Sequence, residues 1–304
     1  DEEGNARAIW HDWGDQYKYL TLKQQATTEP VGLVDAVVDQ SNTTVFEFTG
    51  TDTETKMNET THTLDVVDSG NLVISGDKTS KNNEIIAGNA NMGGITVGTS
   101  DDGYKPHTLT MNNVNKVSGF GRNGAGGING GFINVSKNST ATINVADDGT
   151  IFEKMKANIG GVFVNTSEHT INLNGKDQSH ITFTNNTAEQ AGVGANVAAI
   201  TGTDDIRKLG QNSNATTNIN FVDFINNKAT AGDGGVLYNY SDGNYTATMN
   251  IANSTFKGNT ATKNGGAIIN EIHNQAPFQS KAILNITDST FENNTADNAG
   301  GAIY

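Results

Sequence analysis

The segment FKGNTATKNGGAI, residues 256–268, decides the fold because its pattern returns along most of the chain. It places an Asn three residues after an aromatic residue, an Ala two residues later, and then a glycine pair that opens an apolar run. The copies are anchored at Ile85, Phe120, Phe152, Phe183, Phe224, Phe256 and Phe291. A period of about 30 to 40 residues is typical of stacked repeats, so the chain is predicted to be a solenoid.

The copies follow the pattern with different fidelity. Three are complete, and they contain Phe224, Asn227, Gly234 and Gly235; Phe256, Asn259, Gly265 and Gly266; and Phe291, Asn294, Gly300 and Gly301. The copy at Phe183 keeps its Asn186. The copies at Ile85, Phe120 and Phe152 are degenerate but lie before glycine pairs at 93–94, 130–131 and 160–161.

Each repeat alternates with period two between the glycine pair and the next aromatic residue, as Ala247, Met249 and Ile251 show. This alternation predicts half-buried strands, about three per repeat, and the ten-residue helical stretches of helical solenoids are absent. We therefore expect an all-β fold, a parallel β-helix of about eight or nine coils. Strand crossovers favour a right-handed helix.

The repeated residues acquire roles in such a helix. The Phe side chains should stack inside, and the motif Asn should adopt left-handed backbone and bond amide to amide along the axis. The glycines should permit a turn that a side chain would obstruct.

Composition excludes several functions. The chain has 33 acidic and 19 basic residues, a formal charge of −14, and no Cys. It therefore lacks the basic stripe of a nucleic-acid partner, and disulfides and thiolate metal sites are impossible.

The predicted domain organisation has two parts. Residues 1–40 form an N-terminal cap region, and residues 41–304 form the β-helix, with motif copies from about residue 85. Trp10 and Trp13 favour a cap over the open end of the solenoid, and an aromatic recognition patch is the alternative. The sequence stops inside a repeat at Tyr304, from which we expect a fragment truncated at its C-terminal end.

No catalytic, cofactor-binding or metal-ligating residue is predicted. The acidic pairs Asp101-Asp102, Asp147-Asp148 and Asp204-Asp205 have turn-like settings, and the histidines lack metal-ligand spacing. Two other classes remain open. One is a β-helix polysaccharide lyase or hydrolase, or a phage tailspike, which would gather carboxylates on neighbouring coils. The other is a structural stalk.

The paired tetrads F-x-x-N and G-G-A-[I/L/V] over residues 85–304 resemble the polymorphic outer membrane proteins of chlamydiae and the wider group of autotransporter passengers and adhesins. The resemblance implies a right-handed β-helical passenger, exported through the outer membrane by a C-terminal β-barrel and either anchored at the cell surface or secreted. It implies adhesion to host cells, as in virulence factors, with a host-cell surface protein or glycan as partner. Self-association is a further possibility. Contact with a membrane is expected only through a barrel or anchor outside this sequence.

A ridge of loops is the predicted binding surface. Length varies mostly between the glycine-pair strand and the alternating strand, in segments 99–106, 201–214, 240–245 and 271–280. Every coil returns to the same angular position, so these segments should rise from one side. The ridge should be acidic, favouring a cationic patch or a bridging metal on the partner. Its acidic residues are Asp101, Asp102, Asp204, Asp205, Asp242 and Glu271, and the residues of the three complete motif copies are the remaining binding candidates.

Overall fold

The computed structural model describes residues 71–76, 93–98, 106–121, 129–200, 206–273 and 277–304, together with the strands it places between residues 8 and 87. Within these residues the chain winds as a β-solenoid, which confirms the predicted all-β, parallel β-helical class. A single-turn 3₁₀ helix lies at Arg207–Leu209. None of the described residues forms a helix long and apolar enough to cross a bilayer.

Three sheets run along the solenoid, each with one strand per coil. Sheet 1 contains β6 Thr53–Asn58, β7 Thr63–Asp68, β10 Ile95–Val97, β13 Ile133–Val135, β17 Phe163–Asn165, β21 Gly194–Ala198, β25 Leu237–Asp242 and β29 Ile268–His273. Sheet 2 contains β5 Val45–Thr49, β8 Asn71–Ser75, β11 Thr108–Asn112, β14 Thr140–Asn144, β18 Thr170–Asn174, β22 Ala215–Asn220, β26 Thr246–Ala252 and β30 Lys281–Thr287. Sheet 3 contains β4 Ala36–Val37, β9 Glu84–Ala87, β12 Lys116–Ser118, β15 Thr150–Glu153, β19 Ile181–Thr184, β23 Val222–Ile225, β27 Thr255–Lys257 and β31 Thr290–Glu292.

Two smaller sheets complete the fold. Sheet 4 lies between sheets 3 and 1 and holds a motif Ala in each of its five strands, β16 Lys156–Ile159, β20 Thr187–Gln190, β24 Lys228–Ala229, β28 Thr260–Ala261 and β32 Thr295–Ala296. An antiparallel N-terminal sheet contains β1 Ala8–Trp13, β2 Tyr17–Lys23 and β3 Pro30–Val34. Sheet 4 was not predicted from the sequence, because strands of two to four residues leave no clear periodicity.

The parallel coils begin with β7, β8 and β9. Seven coils follow one another in the described chain, fewer than expected, because β4, β5 and β6 pair antiparallel with the first strand of each sheet. These antiparallel strands cover edges whose backbone groups would otherwise be unpaired. The boundary at residue 40 stays a prediction. Trp10 and Trp13 lie in β1, and their side chains are outside the described residues.

A column of stacked Phe rings runs through the interior beneath sheet 3. Adjacent rings from Phe152 to Phe291 have centroids 4.6–5.3 Å apart and interplanar angles of 4–20°. The four rings from Phe152 to Phe256 are fully buried. The prediction of an internal aromatic stack is confirmed for these copies.

The predicted register is wrong for one copy. Val117, rather than Phe120, pairs with Ile85 on one side and Phe152 on the other. Phe120 lies three residues later, where its carbonyl accepts the N–H of Lys156 at 2.9 Å. The strand carries Val117 where the later copies carry Phe. The copy was therefore counted from the next aromatic residue, Phe120, and its predicted register was shifted by three residues. Asn123 and Ala125, the rest of that copy, are outside the described residues.

The motif Asn residues form a buried amide ladder between sheets 3 and 4. In each step the Asn Nδ2 donates to the Asn Oδ1 of the next coil, at 3.0 Å from Asn186 to Asn227, 3.1 Å from Asn227 to Asn259 and 2.9 Å from Asn259 to Asn294. The second Nδ2 hydrogen reaches a Phe carbonyl one coil back, and each Oδ1 also accepts a backbone N–H. Full pairing removes the desolvation cost of about 1–3 kcal/mol that each unpaired buried group would carry.

The left-handed backbone lies one residue earlier than predicted. Asn185, Asn226 and Asn293, which precede the ladder residues, have φ of 53–55°, and Gly258 has φ 66°. Asn and Gly tolerate this conformation, whereas the ladder Asn itself is selected for its hydrogen bonds.

A second buried ladder stands between sheets 1 and 2 and was missed. Nδ2 of each Asn again donates toward the C-terminal coil, at 3.0 Å from Asn165 to Asn196 and 2.7 Å from Asn196 to Asn239 and from Asn239 to Asn270. The signal was present, since Asn165, Asn239 and Asn270 each lie four residues after the second glycine of a pair, and Asn196 lies four residues after Gly192.

The glycine pair serves two different needs. The first residue has a φ of 64–68° in five coils, but Ala191 occupies the same place with φ 55°. The second has ordinary φ, and a Cβ on Gly235 would overlap the carbonyl oxygen of Gly266 in the next coil. The same overlap with the next coil recurs at Gly131, Gly161, Gly192 and Gly266. The second glycine is therefore required by coil stacking.

We expect Phe256→Ala to lower the free energy of unfolding by about 3–5 kcal/mol, because truncating a buried ring leaves a cavity in the column. Urea unfolding followed by circular dichroism measures the change. The matched control is the exposed neighbour Lys257→Ala, expected to change stability by less than about 1 kcal/mol. A loss below ~1 kcal/mol for Phe256→Ala would contradict the stack.

The two glycines of one pair should respond differently to the same substitution. Gly234→Ala should lower the free energy of unfolding by about 1–2 kcal/mol, because its Cβ would meet the Leu237 carbonyl oxygen of its own coil in a left-handed conformation that Ala191 shows a coil can accept. Gly235→Ala should lower it by at least about 3 kcal/mol, because its Cβ would overlap Gly266 of the next coil and only a separation of the two paired coils would relieve the overlap. A loss in urea unfolding that is no larger for Gly235→Ala than for Gly234→Ala would contradict the constraint from coil stacking.

Candidate functional site

The candidates from the complete motif copies lie in the interior. Phe224, Asn227, Phe256 and Asn259 are at most 1% exposed and belong to the aromatic column and the amide ladder. Gly234, Gly235, Gly265 and Gly266 are buried at the coil corners. A partner cannot reach these eight while the coils stay stacked. Phe291, Asn294 and Gly300 are half-buried, and Gly301 is exposed, because they lie in the last described coil.

The four variable segments share one location. Each connects a strand of sheet 1 to the next strand of sheet 2, and we call this edge the corner 1–2. The connections are short at 136–139 and 166–169, whereas the one between β21 and β22 spans residues 199–214. Topology thus places the length variation on one side of the solenoid.

The strands reach further into these segments than predicted. β25 ends at Asp242 and β29 at His273, so Asp242 and Glu271 are strand residues rather than loop residues. Asp242 is 2% exposed and contributes nothing to an acidic surface, which corrects the prediction for this residue. The other acidic candidates of the ridge, Asp101, Asp102, Asp204 and Asp205, lie outside the described residues.

The described residues of this insertion, 206–214, fold back over the outer face of sheet 1. Ile206 and Leu209 form one hydrophobic cluster with Tyr238, Tyr240 and Ile269 of that face. Backbone bonds hold these residues, the Asn212 N–H to the Ala199 carbonyl at 2.9 Å among them. Residues 206–214 therefore form a packed strap rather than a free loop. Its signal in the sequence was a pair of apolar residues inside a segment otherwise typical of loops.

Burial under the strap changes the chemistry of Tyr238. Its hydroxyl donates a hydrogen bond to the Glu271 carboxylate, and the two rings Tyr238 and Tyr240 meet edge to face at 5.9 Å. Desolvation first, and then the Glu271 charge, raise the pKa of Tyr238 far above its usual range. Tyr238 therefore stays protonated as a hydrogen-bond donor and does not serve as a base.

The corner 1–2 presents amides and a lysine to solvent. Lys208, Asn212, Asn214, Asn244 and Gln279 are exposed there. Hydrogen bonds join consecutive coils, since Asn214 Oδ1 accepts the Thr246 N–H at 2.8 Å and Asn244 Oδ1 accepts the Gln279 N–H at 2.6 Å. The described part of the ridge is thus an ordered polar edge.

Other polar groups are dispersed along the edge between sheets 2 and 3. Asp147 and Asp148 are exposed in the predicted turn, and Asp147 binds Lys176 at 2.8 Å. His180 Nδ1 lies 3.0 Å from Asp223 Oδ2. Over the described residues, no group of three or more His, Asp or Glu is arranged to hold a metal ion. These pairs lie at a different corner of the solenoid from the strap.

The comparisons with known proteins identify the repeat. Residues 253–271 and 288–304 match the family model of the Chlamydia polymorphic membrane protein repeat. Both stretches contain motif Asn residues and glycine pairs whose packing is described above. Searches of curated proteins and of solved structures gave no match.

We expect Ile206→Ala to loosen the strap, because it removes an apolar contact that keeps residues 206–214 on sheet 1. Limited proteolysis should cut this segment several times faster than in the wild type, and amide exchange should rise in β25. Lys208→Ala, two residues away and exposed, is the matched control and should leave both rates unchanged. Unchanged cleavage in Ile206→Ala would contradict the packed strap.

Proposed function

We propose that the chain is part of a bacterial surface passenger, in which the β-solenoid displays an adhesive ridge along the corner 1–2 toward host cells. Support for the surface location comes from the match to the Chlamydia polymorphic membrane protein repeat. Support for the display role comes from the repeat residues themselves, since their side chains are used in stacking the coils. The proposal assigns no reaction to the chain.

The observation that carries the proposal is the concentration of insertions at one edge. Sheet faces built from coils in register are flat, whereas the corner 1–2 takes connections of very different lengths. Repeat proteins often build their binding surfaces by such insertions on one face. Packing of the strap on Tyr238 and Tyr240 gives this edge a rigid base, which lowers the entropy lost on binding.

The partner we propose is a host-cell surface protein or glycan. The exposed amides of Asn212, Asn214, Asn244 and Gln279 each offer a donor and an acceptor, as hydroxyl and peptide groups require. Asp101, Asp102, Asp204 and Asp205 of the same segments would add negative charge, so a cationic patch on the partner would be favoured.

The test changes only exposed side chains and keeps Ile206 and Leu209 in place. We expect Asn212→Gly, which removes an exposed amide and keeps the left-handed backbone, to lower attachment of protein-coated beads to epithelial cells at least about fivefold, a free energy near 1 kcal/mol per bead contact.

The matched control is Asn226→Gly, in the turn between sheets 3 and 4. It removes the same residue type, and Asn226 has φ 54° where Asn212 has 55°, so backbone effects are equal. Equal attachment by the two variants would contradict adhesion through the strap. Attachment through charged ridge residues should also weaken as salt increases.

A further inference from the structure

The edge between sheets 2 and 3, which we call the corner 2–3, carries two short insertions in consecutive coils. Residues 145–149 connect β14 to β15, and residues 175–180 connect β18 to β19. The three coils that follow connect the same two sheets through only one or two residues, at 221, 253–254 and 288–289. The corner 2–3 therefore steps down after the second insertion, and Phe221 lies at the foot of the step.

The two insertions form the wall of this step. Lys176 Nζ donates to the Asp147 carboxylate at 2.8 Å, and Ser179 Oγ donates to the Asp147 carbonyl. Within the second insertion the backbones of Lys176 and Ser179 exchange two hydrogen bonds of 2.9 Å, which close a tight hairpin. The wall is thus held by its own backbone and by the coil before it.

The residue at the foot of the step has a backbone conformation that is unusual for an aromatic residue. Phe221 is half-buried and has a φ of 51°, in the left-handed region. At the same corner the next two coils carry Asn253, with φ 50°, and Asp288, with φ 46°, residue types that tolerate this conformation. Because the position accepts Asn and Asp, the solenoid does not itself require the ring. Strained residues of this kind cluster at functional sites.

Two polar side chains lie beside the Phe221 ring. The centroid of the His180 ring is 5.8 Å away, and His180 Nδ1 lies 3.0 Å from Asp223 Oδ2. Both side chains reach solvent, with exposed fractions of 31% for His180 and 25% for Asp223. Over the described residues no protein group hydrogen-bonds to His180 Nε2 or to Asp223 Oδ1. The pair therefore fixes its own orientation and keeps two polar atoms available next to an apolar ring.

We propose that this notch binds one sugar residue, an uncharged hexopyranose. A pyranose ring has a face of C–H bonds that packs on an aromatic ring, and neighbouring hydroxyls that hydrogen-bond to a carboxylate and to an imidazole. Phe221, Asp223 and His180 supply these three contacts. A cationic side chain of a protein fits less well, because His180 already bonds to one oxygen of the Asp223 carboxylate.

The size of the notch sets the strength of binding. It offers one aromatic ring and two polar groups, so it holds a single sugar residue with a dissociation constant on the order of 1 mM. The hairpin and the His180–Asp223 pair are ordered before the ligand arrives, which limits the entropy lost on binding. The site lies at a different corner from the adhesive ridge and does not depend on it.

The experiment is saturation-transfer difference NMR of the full 304-residue chain, with methyl β-galactoside, methyl β-glucoside and methyl α-mannoside as separate probes. At least one glycoside should show saturable transfer to its ring C–H protons. Phe221→Asn should reduce this transfer at least about fivefold, because it removes the stacking ring. The variant should not lower stability in urea unfolding, since Asn253 shows that the position accepts Asn.

A second variant keeps the test independent of the Phe221 backbone. Asp223→Asn preserves the shape of the side chain and removes its charge, so it should weaken glycoside binding at least about threefold. The matched control is Ile151→Asn, since Ile151 is 41% exposed on the outer face of sheet 3, in the same column as Asp223 and two coils before it. It replaces an exposed apolar side chain by the same amide and should leave the transfer unchanged.

Three outcomes would overturn the proposal. They are a wild type that shows no saturable transfer to any of the three glycosides, equal transfer in the wild type and in Phe221→Asn, and equal losses in Phe221→Asn and Ile151→Asn. Binding of N-acetylarginine amide in place of the glycosides would contradict it too and would assign the notch to a cationic side chain. Asn212→Gly should leave the transfer unchanged, and Phe221→Asn should leave bead attachment through the strap unchanged, so the two proposals fail separately.

Discussion

The close approach of successive coils is the constraint on which this molecule depends. A coil can hydrogen-bond to the next only about 4.8 Å away, and at the corner leading into sheet 1 the backbone of the next coil occupies the volume of a side chain. Only glycine leaves that volume free, which explains why the second glycine persists in the coils from Gly131 to Gly266, Gly192 included, while the first yields to Ala191. The sheets, the aromatic column and the ladders all require the spacing that this residue permits.

Buried amides convert that spacing into a unique register. A stack of aliphatic side chains would tolerate a slip between coils, because apolar contacts have no direction. Asn186, Asn227 and Asn259 do not tolerate it, since any shift would leave a buried amide unpaired. The interior thus combines apolar rings, which supply most of the stabilisation, with polar ladders that specify alignment.

Much of the fold could be predicted from the sequence, because its physical determinants repeat. Period-two alternation predicted the strands, and the regular spacing of Phe183, Phe224, Phe256 and Phe291 predicted that their rings stack. The copy at Phe120 was misassigned because one Val replaced the aromatic on which the count depended.

The surface was harder to predict. Asp242 looked like a loop residue, yet parallel pairing of β25 with β29 extended the strand through it, and pairing between distant segments leaves no local signal. The strap at 206–214 depends on contacts between Ile206 and tyrosines in the following coil, which a reading of composition alone does not bring together.

The amide ladders also give the solenoid a polarity. In both buried ladders the Asn Nδ2 donates toward the C-terminal coil, whereas on the outer face of sheet 2 the Nδ2 atoms of Asn250 and Asn144 donate toward the N-terminal coil. The dipoles of the inner and outer ladders are therefore opposed. The side of a coil that faces the N-terminus thus differs chemically from the side that faces the C-terminus, and a coil stacked in the reverse direction would place amide donors against donors.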